Sequence, residues 1–119
     1  MNELPENFDG SSWVGRKLEL ICFAQYQVNF HFEGRLMITV FQQFSFQRPG
    51  DLEVPEPVNT QIAESNLMEL LGQAVTAARN EGDGTLAISF SSGYVLRCYD
   101  PPVPYEAYHI LDDGSLTVV

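Results

Sequence analysis

The residues best suited to chemistry are few: two histidines, His31 and His109, and two cysteines, Cys22 and Cys98. A zinc site needs three or four ligands, usually at short spacings, and these residues lie too far apart along the chain to supply one. Cys22 has apolar neighbours on both sides, and burial makes a thiol less reactive. Glycine-rich phosphate loops and a GxSxG nucleophile motif are absent from the sequence. We therefore predict two reduced thiols, no metal site, no cofactor and no enzymatic activity.

Carboxylates are the most unevenly distributed side chains. After Arg48 the chain carries eleven of them against two arginines, Arg79 and Arg97. They are Asp51, Glu53, Glu56, Glu64, Glu69, Glu81, Asp83, Asp100, Glu106, Asp112 and Asp113. The formal net charge is -10, which disfavours binding to nucleic acid or anionic lipid. This distribution predicts a basic partner.

Length and composition predict one domain, residues 1–119. The chain has 119 residues, of which 45% are hydrophobic, enough for a single core. Apolar runs stay well short of the roughly 20 residues needed to cross a bilayer. The acidic N-terminal residues do not resemble a secretory signal, so we expect a cytoplasmic protein.

Alternation of apolar and polar residues predicts strands. Apolar residues at every second position from Tyr26 to Phe32 predict a half-buried strand, and Glu33-Gly34 predicts a hairpin turn. The next strand keeps its phase from Leu36 to Phe46 apart from a break near Gln42-Gln43, which predicts a bulge or bend.

The second half of the chain resembles the first. A glycine at Gly15 and Gly72, an alternating apolar triplet and a turn glycine recur at an offset of 57 to 59 residues. We interpret these as pseudo-repeat halves, about 14–47 and 71–99, that share one core. Strands are predicted at 17–23, 74–79, 85–90, 94–99, 107–110 and 116–119. A short helix between the halves is predicted to begin at Asn66 and end at Gly72, and proline places 48–60 in a loop. The fold class is mainly β, an antiparallel barrel or sandwich of two similar three-to-five-stranded halves with one short helix between them.

Turn positions predict where the acidic residues meet. In an up-and-down meander the turns at 81–84 and 100–104 lie at one end and the turn at 91–93 lies at the other. The repeat further equates the loop at 48–60 with the loop at 100–106, and proline would stiffen both. We therefore predict one partner-binding rim that combines carboxylates with tyrosine anchors. Its residues are Asp51, Glu53, Glu56, Glu81, Asp83, Asp100, Tyr99 and Tyr105.

Two stretches of the chain resemble a known family. VGRKLELICFAQYQVNFHFEG, and later LLGQAV, GDGTLAISFSSGYVLRCYD and YEAYHI, are similar to small bacterial proteins that are grouped as a domain of unknown function. The resemblance covers Trp13 to Ile110 and implies no catalytic residues. In size and acidity the chain is also similar to the immunity proteins that bacteria keep against contact-dependent toxins.

These observations predict a cytosolic binding protein, most specifically an immunity protein that blocks a basic nuclease toxin. The alternative is a small-molecule-binding β-barrel or enzyme with a cavity lined by phenylalanine and His31 at its mouth. The lining would be Phe30, Phe32, Phe44 and Phe90. A further alternative is self-association, with 36–46 as an exposed sheet edge. The oligomeric state is left open.

Overall fold

The computed structural model describes residues 3–59 and 66–119, which form ten strands. The first five are β1 (Leu18–Phe23), β2 (Val28–Phe32), β3 (Leu36–Val40), β4 (Gln43–Gln47) and β5 (Glu56–Pro57). The others are β6 (Val75–Asn80), β7 (Leu86–Phe90), β8 (Val95–Tyr99), β9 (Tyr108–Asp112) and β10 (Ser115–Val118). The prediction of a mainly β, antiparallel fold is confirmed, and its form is a sandwich rather than a closed barrel.

Each half of the chain contributes strands to both sheets. Sheet 1 has the order β1-β2-β3-β9-β10, and sheet 2 has the order β5-β4-β8-β7-β6. Strands β1, β2 and β3 of sheet 1 correspond to β6, β7 and β8 of sheet 2, and β9 and β10 correspond to β4 and β5. The two halves of the chain are therefore related by a pseudo-twofold axis, and each half contributes its last two strands to the sheet begun by the other half.

The same relation holds for the backbone where the two halves meet. Gly15 N donates to Val75 O at 2.8 Å, and Gly72 N donates to Leu18 O at 2.8 Å. The flanking bonds, Leu18 N to Gln73 O and Val75 N to Arg16 O, are also reciprocal, at 3.1 and 2.9 Å. Both glycines have positive φ, 90° and 82°, a conformation that glycine adopts without strain. The Gly15 and Gly72 pair recognised in the sequence thus lies at the pseudo-twofold contact.

A 3₁₀ helix precedes each of these glycines, at Ser11–Trp13 and at Leu67–Leu70. The second replaces the helix predicted to begin at Asn66, and the Asn66 side chain makes no capping hydrogen bond. Four residues are too few for a full amphipathic helix, so the segment instead contributes buried Leu67 and Leu70 to the core.

The predicted bend near Gln42-Gln43 is the point where the chain leaves sheet 1 and enters sheet 2. β3 ends at Val40, and β4 begins at Gln43 in the other sheet. The prediction of an exposed edge at 36–46 is therefore wrong. β3 lies between β2 and β9, and β4 lies between β5 and β8, because the later half of the chain supplies strands that cover both.

The four phenylalanines predicted to line a cavity are packed in the core between the sheets. Phe30, Phe32, Phe44 and Phe90 are all buried, and the rings of Phe32 and Phe90 stack at 6.3 Å. His31 alternates to the outer face of sheet 1, where it pairs with Met37 in the register, rather than lying at a cavity mouth. The four phenylalanine side chains therefore fill the space between the sheets where the alternative prediction placed a cavity.

The N-terminal segment closes one open side of the sandwich. Leu4 and Trp13 are buried in the core, and Asn80 Nδ2 donates to Leu4 O at 3.3 Å. Gly10 approaches β6 so closely that a Cβ there would lie 2.5 Å from the Ala78 Cβ. In the part of the chain that the structure describes, no helix is long and apolar enough to cross a membrane.

Candidate functional site

Four connections come together at one end of the sandwich, which we call the acidic end: 24–27, 41–42, 81–85 and 100–107. Strand register places them there, because Val28 pairs with Val40, Val40 with Tyr108, and Gln43 with Tyr99. These connections contain Glu81, Asp83, Asp100 and Glu106 but no lysine or arginine. The strand order therefore places the turns at 81–84 and 100–104 at the same end, as the sequence predicted.

Asp83 and Asp100 form the centre of the acidic end. Asp83 accepts a hydrogen bond from the Thr85 backbone N–H at 3.0 Å, and this bond lowers the pKa of the Asp83 carboxyl. Burial, followed by the negative charges of Glu3 and Asp83, raises the pKa of Asp100. Two neighbouring carboxylates raise the pKa of a third because protonation relieves their repulsion. Asp83 and Asp100 therefore concentrate negative charge at this end.

A buried tyrosine holds the acidic turn against sheet 1. Tyr108 is fully buried at the start of β9, and its hydroxyl donates to Gly84 O at 2.6 Å. Gly84 has a φ of 86°, and a Cβ added there would lie 3.2 Å from the Asp100 carboxylate. Tyr108 therefore holds the turn on one side, and on the other side Asp100 leaves little room for a side chain at Gly84.

Beside the carboxylates lies an open groove of about 630 Å³ with aromatic walls. Its lining residues are Tyr26, Phe41, Gln42, Pro104, Tyr105 and Glu106. Tyr26 is 70% exposed and Tyr105 is 66% exposed, which is unusual for such large side chains. Glu106 is held by the His109 ring, with Nε2 and Oε2 2.7 Å apart, and the His109 ring meets Phe41 edge-on. The groove thus combines exposed tyrosines with a positioned carboxylate.

Three of the predicted rim residues meet elsewhere, on the outer face of sheet 2. Arg97 Nε lies 2.8 Å from Glu81 Oε1 and 3.6 Å from Glu53 Oε1. The Tyr99 hydroxyl contacts Glu53 and lies 2.8 Å from Ser45 Oγ. Burial, reinforced by the hydrogen bond with Glu53, raises the pKa of Tyr99 to about 12. Arginine therefore neutralises Glu53 and Glu81, and they add little to a charged rim.

Asp51 and Glu56 also lie outside the four connections of the acidic end. Asp51 lies 3.9 Å from Arg48 at the opposite end, beyond the end of β4. Glu56 belongs to the two-residue strand β5, where it pairs with Phe44. The chain from 48 to 57 runs along sheet 2 from one end to the other, so the prediction of a single rim for all eight residues is wrong.

The predicted equivalence of the loops at 48–60 and 100–106 is wrong for the same reason. The loop at 100–107 follows β8 and corresponds to the two-residue crossing at 41–42, which follows β3. The segment at 48–55 follows β4 and corresponds to the turn at 113–114, which follows β9. Thr60 and Glu64 of the sequence prediction lie outside the described residues.

All five arginines of the chain lie within 4 Å of a carboxylate. The pairs are Arg16–Asp112, Arg35–Asp113, Arg48–Asp51, Arg48–Glu69, Arg79–Glu81, Arg97–Glu53 and Arg97–Glu81. The arginine pairs lie outside the four connections of the acidic end, apart from Glu81 at its border. Among the described residues, Asp83 and Asp100 of the acidic end are in none of these pairs, and Glu106 contacts His109 instead of an arginine.

The other residues considered for chemistry are dispersed. Cys22 and Cys98 are free thiols, Cys98 is fully buried, and burial raises the pKa of its thiol to about 12. Asp112, near His109 in the sequence, instead accepts from Trp13 Nε1 and Arg16. Within the described ranges, no three histidine, cysteine or acidic side chains are grouped as metal ligands.

A family model described as a family of unknown function (DUF6188) matches residues 11–119. The chain belongs to this family. The match includes all ten strands of the two sheets and both described 3₁₀ helices. Searches among curated proteins and solved structures gave no significant match.

Sequence reasoning missed Glu106 and Tyr26 as neighbours in one groove. The two residues lie 80 positions apart, and they meet because the crossing at 41–42 brings β3 and β9 side by side. It also missed the role of Arg97. The signal available was that Arg97 is a charged residue in the middle of a strand otherwise rich in apolar residues, where a partner on the same face is needed.

Proposed function

We propose that the protein binds a basic protein at the acidic end. The observation that carries this proposal is the separation of charge: Asp83, Asp100 and Glu106 lie on connections without lysine or arginine, while the arginines are paired elsewhere. Because no lysine or arginine of the described residues pairs with Asp83, Asp100 or Glu106, a cationic partner gains from approaching them.

Different residues at this end contribute to the rate and to the lifetime of binding. Unpaired carboxylates attract a basic surface at a distance and so increase the association rate, an effect that salt weakens. Exposed Tyr26 and Tyr105 can bury large amphipathic side chains against the partner, and residues of this kind usually slow dissociation. Pro101, Pro102 and Pro104 limit the freedom of the loop before it binds.

The most specific form of this proposal is an immunity protein for a nuclease toxin. A nuclease holds phosphate groups with lysine and arginine, so its active-site cleft is basic. Carboxylates at the acidic end would pair with those cations and exclude the nucleic acid. The small size of the chain and its formal net charge of -10 are similar to those of such inhibitors.

The test is a set of charge-neutral substitutions that keep side-chain shape. Asp83→Asn, Asp100→Asn and Glu106→Gln would be combined, with Asp113→Asn at the opposite end as the matched control. Binding to nuclease domains of contact-dependent toxins, and inhibition of their activity, would be measured over a range of salt concentrations.

The triple variant is expected to bind at least about tenfold more weakly, mainly through slower association, and to show a shallower salt dependence. The Asp113→Asn control should behave like the parent protein. Equal affinity and an equal salt slope for the triple variant and the parent would contradict binding at the acidic end. Binding without inhibition of the nuclease would contradict the immunity function alone.

A further inference from the structure

Ten residues on the outer face of sheet 1 form two rows that contain no lysine, arginine, aspartate or glutamate. One row across its five strands consists of Leu20, His31, Met37, Leu111 and Leu116, which pair in sequence in the strand register. The next row consists of Cys22, Asn29, Thr39, His109 and Val118. Leu20 is 50% exposed and Leu116 is 57% exposed, although hydrophobic positions of this kind normally face a core.

The corresponding face of sheet 2 is covered by the protein itself. There the chain after β4 returns across the sheet, and Glu53 reaches Arg97 and Tyr99. Beneath this cover Ser45 and Ala87 are fully buried. In sheet 1 the corresponding connection, from β9 to β10, is the two-residue turn Asp113-Gly114, which is too short to return across that face.

The outward-facing side chains of the two sheets also differ in polarity. Arg79 and Arg97 on sheet 2 occupy the positions that Cys22 and Thr39 hold on sheet 1, and Gln47 occupies that of Leu111. The face that has a polar cover therefore carries arginine and glutamine at positions where the face of sheet 1 carries cysteine, threonine and leucine. This pattern is expected if sheet 1 is covered by a surface outside the chain.

We propose that a second copy of this chain packs on the outer face of sheet 1, sheet against sheet. The charge of the molecule favours this occupant. With a formal net charge of -10, two copies repel each other over most of their surfaces, but the ten residues of this face include no lysine, arginine, aspartate or glutamate. A basic partner, by contrast, would meet Glu106 only at the border of the ten residues, where His109 already holds its carboxylate.

The size of the face fits a dimer of modest affinity. Five strands about 4.8 Å apart, with five residues each at about 3.3 Å per residue, give a projected area of roughly 400 Å². Two such faces have a projected area of roughly 800 Å², and their accessible surface is larger because side chains are not flat. The surface buried in a dimer would therefore be about 1,000 Å², near the lower limit for specific interfaces. Dimerisation should therefore depend on concentration in the micromolar range.

The test is sedimentation equilibrium of the full chain between about 1 μM and 1 mM, a range that covers dimers of modest affinity. The double variant Leu20→Glu/Leu116→Glu adds charge at two positions that are already half exposed, so the fold should tolerate it. The matched control is Leu52→Glu/Val54→Glu, which adds the same two charges at side chains that are 85% and 59% exposed and lie away from sheet 1. Thermal unfolding of all variants checks that the fold is intact.

The parent chain and the control should form dimers as concentration rises, and the double variant should stay monomeric. A parent chain that is monomeric over the whole range would overturn the proposal, and so would a double variant that dimerises like the parent. Thiol labelling gives a second measurement, because Cys22 lies on this face and Cys98 is fully buried. Labelling of Cys22 should slow as the parent chain is concentrated, and a rate independent of concentration would count against the interface.

Discussion

The hydroxyl of Tyr108 offers the sharpest test of how the acidic end is held in place. Tyr108→Phe removes one oxygen atom from a fully buried side chain and leaves the ring that packs in the core. The lost contact is the 2.6 Å hydrogen bond to Gly84 O, which joins the start of β9 to the turn at 81–85. The substitution therefore tests a single bond between the two sheets.

The expected cost follows from the burial of both groups. A typical hydrogen bond contributes about 1 kcal/mol, and a buried carbonyl left without its donor costs about 1–3 kcal/mol. Gly84 is buried, so we expect the free energy of unfolding to fall by about 2 kcal/mol. For a chain of this length that corresponds to a decrease in Tm of roughly 8 °C. The urea midpoint should fall by roughly 1 M with an unchanged m-value.

Matched Tyr→Phe substitutions at two exposed positions provide the control. Tyr26→Phe and Tyr105→Phe make the same chemical change at hydroxyls in the open groove, and each should alter stability by less than about 0.5 kcal/mol. Urea unfolding of the three variants would be compared with that of the parent. If Tyr108→Phe were as stable as the exposed variants, the bond to Gly84 would not hold the turn, and the reasoning would fail.

Three further predictions concern other contacts. Arg97→Met should lower stability by about 1 kcal/mol, because the mostly buried Arg97 joins Glu53 to Glu81 and Glu53 would lose this partner. The more exposed Arg79→Met should cost under about 0.5 kcal/mol, and equal costs in urea unfolding would contradict this. Asp100→Asn should raise Tm at pH 7, because burial and neighbouring carboxylates raise the pKa of Asp100 and its ionised form therefore destabilises the folded state. The gain should shrink as pH falls through that raised pKa and vanish below the ordinary carboxyl range, and a gain that is constant with pH would contradict it. Gly10→Ala should cost about 1–3 kcal/mol, because its Cβ would lie 2.5 Å from the Ala78 Cβ and carbonyl oxygen; calorimetry showing an unchanged Tm would contradict that close approach.

The strands were predictable because their alternation is local. β2 and β7 each carry three buried apolar residues at every second position, and this signal needs no knowledge of neighbours. The pairing of β3 with β9, and of β4 with β8, was not predictable in this way. It depends on the crossing at 41–42, and the sequence marks that crossing only by a break in phase at Gln42. A bulge within one strand and a passage between two sheets produce the same break.

The candidate site was predictable to the extent that it depends on turns. Glu81–Gly84 and Asp100–Pro104 lie at one end because the first follows β6 and the second follows β8, which runs in the same direction as β6, and this geometry follows from strand order alone. The neutralisation of Glu53 by Arg97 depends on a contact between residues 44 positions apart, one in the segment between β4 and β5 and the other in β8. Charge counting along the chain treats both residues as exposed, so it overestimates the charge available to a partner.

The two surfaces proposed for binding can be separated by experiment because they depend on different forces. Contacts at the acidic end should weaken with salt, whereas packing of the uncharged face of sheet 1 should not, since salt screens charges and leaves apolar burial intact. The surfaces meet at Phe41, which lines the groove and also contacts His109 of the outer face. A dimer formed on this face would therefore present two acidic ends to a partner, and a bivalent partner would bind the pair more tightly than either alone. Removing Asp83 and Asp100 charges should leave dimerisation unchanged or slightly stronger, because it lowers the repulsion between copies. If that change instead abolished the dimer, the acidic end would be part of the contact between copies, and the assignment of separate roles to the two surfaces would be wrong.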